Sequence, residues 1–226
     1  MQTILIYSGG LDSTVLLYWL RRRGDTVSAL SLDYGQRHRR ELASAEMICA
    51  HLNIPWRCAD LSALRPFLAG SSQTDLTVAV PYGHYGAETM KATIVPNRNM
   101  LFLAVAVAWA VSSRADAVAY AAHAGDHTIY PDCRPAFVQA MQQATAVCDW
   151  HPVQIMAPFL MLTKAEIVQI GAGLAVPFGE TWSCYEGGIQ HCGRCGTCME
   201  RQEAFQLAGI HDSTVYHRSE PLVREP

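Results

Sequence analysis

A short stretch near the start of the chain has the residue types of an anion-binding loop. It reads Ser8-Gly9-Gly10-Leu11-Asp12-Ser13-Thr14 and follows a run of apolar residues. Glycines let backbone N–H groups approach an anion closely, and a helix beginning here would add unpaired N–H groups and the positive end of its dipole. The stretch therefore predicts phosphate binding, with a plain tight turn and an Asp-Ser helix cap as the alternative.

Two widespread phosphate-binding loops do not fit this stretch. The Gly-x-x-x-x-Gly-Lys-Ser/Thr loop requires a lysine that is missing here. The Gly-x-Gly-x-x-Gly loop of dinucleotide-binding proteins is also absent. The predicted phosphate site is therefore of a different kind.

Four cysteines in the last quarter of the chain have the spacing of a metal site. They follow the pattern Cys184-x7-Cys192-x2-Cys195-x2-Cys198, and four thiolates with no open position indicate a structural zinc ion. An iron–sulfur cluster is the alternative, because Cys-x2-Cys-x2-Cys runs also occur in ferredoxins. We favour zinc, since nothing else in the sequence indicates redox chemistry.

The elements that must position these residues alternate between strands and helices. Apolar runs predict strands over residues 3–7, 27–32, 55–59, 117–122 and 153–157. Amphipathic or apolar segments predict helices over residues 13–23, 41–52, 99–113, 135–147 and 163–171. Continuous apolar strands alternating with helices predict an α/β fold, in which helices cover both faces of a parallel sheet.

The polar loops of this predicted fold fall at the carboxyl ends of its strands, where such sheets bind ligands. They cover residues 8–13, 33–40, 123–134 and 158–164. Residues 60–95 show little periodicity and predict a long irregular excursion, which is usually functional or mobile. We expect an α/β nucleotide-binding domain over residues 1–177 and a small zinc-binding subdomain over residues 178–226.

Charge and hydropathy favour small substrates. The 226 residues carry a formal net charge of −3, whereas proteins that grip long nucleic acid usually have a basic excess. The longest apolar run, residues 100–111, is too short to span a bilayer. Residues 8–10 interrupt the first apolar run too early for an export signal. We therefore expect a cytoplasmic protein that binds neither nucleic acid nor membrane.

The Ser-Gly-Gly-x-Asp-Ser stretch resembles the pyrophosphate loop of the PP-loop ATPases, which cleave ATP between its α and β phosphates. Together with the cysteines, further stretches resemble the 7-cyano-7-deazaguanine synthase family of queuosine precursor biosynthesis. They are LDYGQRH (32–38), VPNRN (95–99), YPDCR (130–134), TKAE (163–166) and TWSCY (181–185). The loop AHAGDH (122–127) departs from the GVCETD form of some members, although Asp126 matches the acidic position.

This resemblance implies a fold, a reaction and cofactors. The fold would be a Rossmann-like sheet of the adenine nucleotide alpha hydrolase type. The enzyme would be an ATP-dependent carbon–nitrogen ligase that converts 7-carboxy-7-deazaguanine and ammonia to the nitrile. It would pass through an adenylated carboxylate and an adenylated amide and release AMP and pyrophosphate. Structural Zn²⁺, Mg²⁺ bound with ATP and a homodimer are further implications.

The resemblance and the residue types together give expected roles. ATP would be bound by Ser8, Gly9, Gly10, Leu11, Asp12, Ser13, Thr14, Asp33 and Tyr34. The catalytic residues would be Asp12, Ser13, Arg98 and Lys164. Substrate contacts are expected from Arg37, His38, Asp126, Asp132 and Arg134, and metal binding from Cys184, Cys192, Cys195 and Cys198. Asp12 would orient the loop or contact Mg²⁺, because an ionised carboxylate does not attract phosphate.

Three other functions stay open at this point. A related enzyme could activate the deazaguanine carboxylate and couple it to a macromolecule. A tRNA-thiolation type of PP-loop enzyme would need a basic surface, which the net charge of −3 does not indicate. A zinc-bearing nucleotide-binding module without activity would release no pyrophosphate.

Overall fold

The computed structural model describes residues 1–85 and 88–217. Within them, five parallel strands form one sheet in the order β3-β2-β1-β4-β5. The strands are β1 (Gln2–Ile6), β2 (Thr26–Asp33), β3 (Trp56–Asp60), β4 (Ala117–Ala119) and β5 (Gln154–Met156). The predicted parallel α/β sheet is thereby confirmed.

Six α-helices accompany the sheet in the described part of the chain. They are α1 (Leu11–Arg23), α2 (Arg40–Leu52), α3 (Arg98–Ser113), α4 (Pro135–Thr145), α5 (Lys164–Gly173) and α6 (Gly196–Ala208). Short 3-10 helices cover Ser62–Leu68, Glu88–Thr93, Ala124–Thr128, Pro131–Cys133 and Phe178–Glu180. Helix α6 is not among the helices predicted from the sequence, because its start lies in the glycine-rich cysteine stretch.

Alternate residues of the strands supply two hydrophobic cores, one on each face of the sheet. In β1, Leu5 joins the core formed with α1, α2, α5 and α6, whereas Ile4 joins the core formed with α3 and α4. In β2, Ala29 and Leu30 divide in the same way. This alternation follows from the two-residue period of a strand, and it explains why the strands are apolar on both faces.

The strand order places a switch point between β1 and β4. From β1 the chain continues to β2 and β3 on one side, and later to β4 and β5 on the other. The loops that follow β1 and β4 therefore diverge and leave a crevice at their carboxyl ends, where open α/β sheets bind ligands. Strand β4 ends at Ala119, earlier than predicted, and residues 120–123 line this crevice.

The C-terminal segment packs against the sheet domain. Helix α6 lies along α5, and its Ala204 and Phe205 belong to the same core as Leu5. Residues 218–226 of the predicted zinc-binding subdomain lie outside the described residues, and the division at residue 177 stays a prediction. In the part of the chain that is described, no helix is long and apolar enough to cross a membrane.

Candidate functional site

The loop after β1 is shaped by a close approach of two backbones. Gly9 has φ +75°, and a Cβ on it would lie 2.5 Å from the carbonyl oxygen of Glu41 in α2. Any side chain at position 9 would therefore collide with the backbone of α2. Gly10 is extended and forms the N-cap of α1 without a capping side chain.

Hydrogen bonds of side-chain hydroxyl groups hold this loop in place. Thr14 is buried; its Oγ1 donates to the Gly10 carbonyl at 2.7 Å and pairs with the Tyr7 hydroxyl at 3.1 Å. The hydroxyl oxygens of Ser8 and Ser13 lie 3.0 Å apart. The first N–H groups of α1 have no partner within the helix, so the loop presents donors and the positive end of the α1 dipole to the crevice.

Lys164 is a cation that lies beside this loop. It is the first residue of α5, whose start is fixed by a capping box between Thr163 and Glu166. Its Nζ lies 3.0 Å from Asp12 Oδ2 and 2.8 Å from Glu200 Oε2. Burial alone would lower the pKa of Lys164, but the two carboxylates outweigh it and raise this pKa well above its usual value. Lys164 is therefore charged at neutral pH.

The pKa values of the two carboxyl groups beside Lys164 are shifted in opposite directions. Burial would raise the pKa of Asp12, but Lys164 and His123 outweigh it and hold this pKa below its usual value. Burial raises the pKa of Glu200 above its usual value, although Lys164 opposes the shift. Asp12 is therefore the carboxylate more firmly held in its ionised form.

His123 extends these contacts across the switch point. The buried ring has Nε2 3.8 Å from Asp12 Oδ2 and 3.5 Å from Asp126 Oδ2, and the Tyr85 hydroxyl donates to Asp126 Oδ1 at 3.1 Å. Loops after β1, β4 and β5 and helix α6 thus contribute to one set of ionisable groups. This charged cluster consists of Asp12, His123, Asp126, Lys164 and Glu200.

The part of the cavity lining that contains Arg98 is rich in tyrosine. A tyrosine cluster of Tyr34, Tyr85, Tyr130 and Tyr185 forms it together with Arg98. The Tyr130 hydroxyl lies 3.4 Å from that of Tyr185, and the Arg98 guanidinium lies 5.9 Å from the centre of the Tyr130 ring. Burial raises the pKa of Tyr34, Tyr85 and Tyr185, so these phenols are neutral.

Arg98 is the cation of the tyrosine-rich end. Burial would lower its pKa, but Tyr34 and Asp132 outweigh this and raise the pKa well above its usual value. Arg98 begins α3, and its neighbour Asn99 donates its backbone N–H to Asp132 Oδ2 at 3.1 Å. The cavity lining thus includes Lys164 beside the glycine loop and Arg98 among the tyrosines.

The four cysteines converge beside the cavity. Their sulfur atoms all lie within 4.8 Å of one another, and a tetrahedral zinc site with Zn–S bonds of about 2.3 Å needs a spacing of about 3.8 Å. Backbone N–H groups of Cys192 and Cys195 already donate to the sulfurs of Cys184 and Cys192, at 3.3 and 3.2 Å. Such bonds orient thiolate ligands, so this cysteine cluster fits a metal ion.

Comparison with known proteins identifies the family. A family model described as queuosine biosynthesis protein QueC matches residues 2–209. The chain belongs to the QueC family. The resemblance inferred from the sequence is thereby confirmed, and membership of this family makes the chain an enzyme of queuosine biosynthesis.

Three relatives of this QueC-family chain share one name. "7-Cyano-7-deazaguanine synthase" of Methanoregula boonei is 51% identical over 216 residues, covering 96% of this chain and 99% of the relative. The protein of that name from Rhizobium leguminosarum bv. trifolii is 52% identical over 218 residues, covering 96% and 92%. That from Hahella chejuensis is 49% identical over 215 residues, covering 95% and 93%.

Solved structures confirm the fold at lower identity. An NMN synthetase from Francisella tularensis is 19% identical with a TM-score of 0.55, covering 94% of this chain and 79% of that one. A 4-thiouridine synthetase in an RNA complex with bound ATP is 15% identical with a TM-score of 0.50, covering 92% and 50%. These likenesses concern the arrangement of strands and helices.

The structure brings many of the expected site residues of this QueC-family member together. The cavity between the glycine loop and the tyrosine cluster is lined by Ser8, Gly10, Leu11, Asp12, Ser13, Tyr34, His38, Arg98, Asp126 and Lys164. These residues come from all parts of the sheet domain. Their roles stay predictions, while their common location is a feature of the fold.

The other expected site residues lie elsewhere or behind the lining. Gly9 faces α2 and Thr14 lies under the loop. Arg37 donates to the carbonyls of Asp75 and Val78 at 3.1 and 2.9 Å. The remaining three are Asp33, which pairs with Arg39, Asp132, which accepts from Asn99, and Arg134, which donates to the His127 carbonyl.

Several residues of the site were missed by the sequence reasoning. Tyr85 lies in the irregular excursion, which gave no signal for its position. Tyr130 and Tyr185 lie in the YPDCR and TWSCY stretches, but only their neighbours were assigned roles. His123 and Glu200 were missed because their partners, Asp12 and Lys164, are far away in the sequence.

One carboxylate of the charged cluster, that of Asp12, has an oxygen atom suited to binding Mg²⁺. Asp12 Oδ1 is buried and has no hydrogen-bond partner, so it retains a free lone pair beside the glycine loop. Mg²⁺ is usually held by one or two carboxylates together with substrate phosphates and water. The Asp12 carboxylate therefore fits a Mg²⁺ ion that arrives with a nucleotide.

Proposed function

We propose that this chain converts 7-carboxy-7-deazaguanine and ammonia to 7-cyano-7-deazaguanine, at the expense of ATP. The observation that carries the proposal is the contact of Lys164 with Asp12 at 3.0 Å, directly beside the start of α1. This contact brings a cation next to the free N–H groups of α1. Both stabilise the negative charge that develops on a departing pyrophosphate. The names of its relatives at about 50% identity support the choice of substrate.

The reaction must remove two oxygen atoms from one carbon. The carboxylate first attacks the α-phosphate of ATP and forms an acyl-adenylate and pyrophosphate. Ammonia then displaces AMP and gives the amide. The amide oxygen attacks a second ATP with loss of pyrophosphate, and elimination of AMP and of both amide N–H protons leaves the nitrile. Both oxygens depart in AMP, so the same site for pyrophosphate can serve both activations.

The glycine-loop end of the cavity suits the developing charge on pyrophosphate. The free N–H groups of α1 and the hydroxyls of Ser8 and Ser13 would hold the phosphates without reorganisation during the reaction. Lys164 would neutralise charge, and its fixed position makes this stabilisation available in the transition state. Asp12 would hold Lys164 and, with its free Oδ1, Mg²⁺, which neutralises phosphate charge when bound.

The tyrosine-rich end suits a planar heterocycle. Aromatic rings bury flat apolar surface, and neutral phenols can donate or accept hydrogen bonds at its edge. The Asp126 carboxylate is an acceptor for the N–H groups that a guanine-like edge presents. Arg98 would contact the substrate carboxylate before its first activation. These assignments place the deazaguanine between the tyrosine cluster and the glycine loop.

The metal of the cysteine cluster would be zinc in a structural role. Four thiolates complete a tetrahedron and leave no position for substrate. Metal analysis of the purified protein is expected to give one zinc per chain and no visible absorption band. A brown protein with bound iron would instead favour the iron–sulfur alternative and redox chemistry.

The remaining partners follow from the reaction. Ammonia itself would be the nitrogen donor of the proposed reaction. A homodimer and a cytoplasmic location remain expectations based on the family resemblance.

Mass spectrometry of a complete reaction tests the proposed function. The purified protein is incubated with 7-carboxy-7-deazaguanine, ATP, Mg²⁺ and an ammonium salt. Loss of the carboxylate with appearance of the nitrile, AMP and pyrophosphate is expected. Accumulation of the amide as final product, or no consumption of the carboxylate, would contradict the proposal.

A further inference from the structure

Glu200 is a buried carboxylate that lies behind the cavity wall and contacts a side chain of that wall. Its Oε2 accepts a hydrogen bond from Lys164 Nζ at 2.8 Å. Lys164 lines the cavity, whereas Glu200 lies behind it and is not among the lining residues. The hydrogen bond to Lys164 is therefore the contact through which Glu200 can affect the position of a cavity-lining group.

Lys164 stands in a place that a cation does not favour by itself. It is buried, and it is the first residue of α5, where the positive end of the helix dipole repels a cation. An ammonium group has three donors, of which Asp12 and Glu200 accept two. The two carboxylates thus compensate burial and dipole, and they leave one donor for a ligand.

Glu200 is itself rigidly placed by its neighbours in α6. The adjacent Arg201 is completely buried, and it donates to Thr181 Oγ1 at 2.8 Å, to the Phe178 carbonyl at 2.9 Å and to Asp212. Earlier in the helix, Cys198 joins the cysteine cluster. The helix that carries Glu200 is therefore fixed on both sides of this residue.

We propose that Glu200 is a positioning residue that directs the free donor of Lys164 into the cavity. Without Glu200, Asp12 would be the one carboxylate of the described residues that pairs with the ammonium group, and Lys164 would turn toward it. This inference rests on the proposed function, in which Lys164 contacts the phosphates. It adds that a residue of the cysteine-bearing helix sets the geometry of the phosphate site.

The test compares three variants of the full chain. Glu200→Ala is expected to lower kcat by about 10- to 100-fold, because a displacement of about 1 Å at a reacting centre can cost this much. The KM for ATP should stay near the wild-type value, since Glu200 does not contact the cavity. Glu200→Gln keeps the length of the side chain and an oxygen acceptor, so it should recover most of the lost kcat. Glu203→Ala, an exposed position on the same helix, is the matched control.

Metal content and melting temperature are measured for every variant. A kcat of Glu200→Ala equal to that of Glu203→Ala would overturn the inference, as would a rise in the KM for ATP with unchanged kcat. If Glu200→Ala does not fold, Glu200→Asp replaces it, since its carboxylate is one methylene too short for Lys164, and the same criteria apply. Wild-type nitrile formation is measured in parallel, and its absence would contradict the proposed function instead.

Discussion

The cysteine cluster and the charged cluster each include a residue of α6, Cys198 and Glu200 respectively, but the chain assembles the two clusters in different ways. The four cysteines lie within residues 184–198, and a glycine directly follows Cys192 and another follows Cys195. The charged cluster spans residues 12 to 200, and its members follow three different strands or lie on α6. One cluster is a local structure, whereas the other exists only when the whole sheet is formed.

This difference predicts how each cluster responds to damage. Loss of a cysteine should release the metal and weaken the C-terminal segment, because the ligand bonds tie that segment down. Loss of a member of the charged cluster should leave the metal in place and act on the chemistry. Metal content and turnover therefore distinguish the two regions.

The largest effect is expected for Lys164→Ala. Removal of this cation should lower nitrile formation by about 10³-fold, since loss of one preorganised charge-stabilising donor costs up to this factor. Metal content should equal that of the wild type. Rates are followed by pyrophosphate release, and Lys91→Ala, an exposed lysine paired with Glu88, serves as control. Turnover close to that of the control would remove Lys164 from the proposed mechanism.

Cys195→Ser tests the other cluster. The variant should lose its metal and melt roughly 5–10 °C lower, because loss of a metal-linked contact costs several kcal/mol and each 1 kcal/mol corresponds to about 2–4 °C at this chain length. Metal analysis and calorimetry are compared with those of Cys148→Ser, an exposed cysteine outside the cluster. A full metal equivalent and an unchanged melting temperature would show that the ligand set is wrong.

Ser13→Ala should have a smaller effect on turnover. Ser13 Oγ lies 3.0 Å from Ser8 Oγ, so the variant loses one neutral donor and loosens a second hydroxyl. A loss of about tenfold in kcat is expected, which corresponds to the ~1.4 kcal/mol of one hydrogen bond. Ser112→Ala, an exposed serine in α3, is the control. An unchanged kcat would exclude the Ser13 hydroxyl from phosphate binding.

The smallest effect concerns stability in acid. The pKa of Asp12 in the folded protein lies below its ordinary value of 3.8. A lowered pKa contributes stability that is present above the ordinary value and is lost as the pH falls through the folded value. Asp12→Asn lacks this contribution, so its melting temperature should approach that of the wild type below about pH 4. A constant difference between the two proteins over the pH series would contradict the expected titration.

The clusters also show what the sequence predicts and what it does not. The cysteine spacing, the apolar strands and the capping box at Thr163 are local patterns, and the structure confirms the sheet, the helices and the convergence of the sulfur atoms. The position of Glu200 beside Lys164 depends on the packing of α6 against α5, and no local pattern reports such packing. The same holds for Tyr85, which reaches Asp126 from an irregular segment.

The glycine loop shows a further limit of sequence reasoning. Its glycines were interpreted as points where the backbone approaches an anion. The structure shows a different reason for Gly9, whose missing side chain makes room for the backbone of α2 at Glu41 and Ala45. A glycine in the sequence does not reveal which backbone will pack against it. Here the packing residue Glu41 is 32 positions away from Gly9.

In the proposed reaction, one pyrophosphate site beside Lys164 is used twice for each nitrile. The most direct test of this double use counts the pyrophosphate formed per nitrile by the wild-type protein, starting either from the carboxylate or from the corresponding amide. Two pyrophosphates per nitrile are expected from the carboxylate and one from the amide. A single pyrophosphate per nitrile from the carboxylate, or failure to convert the amide, would contradict the double use of the site.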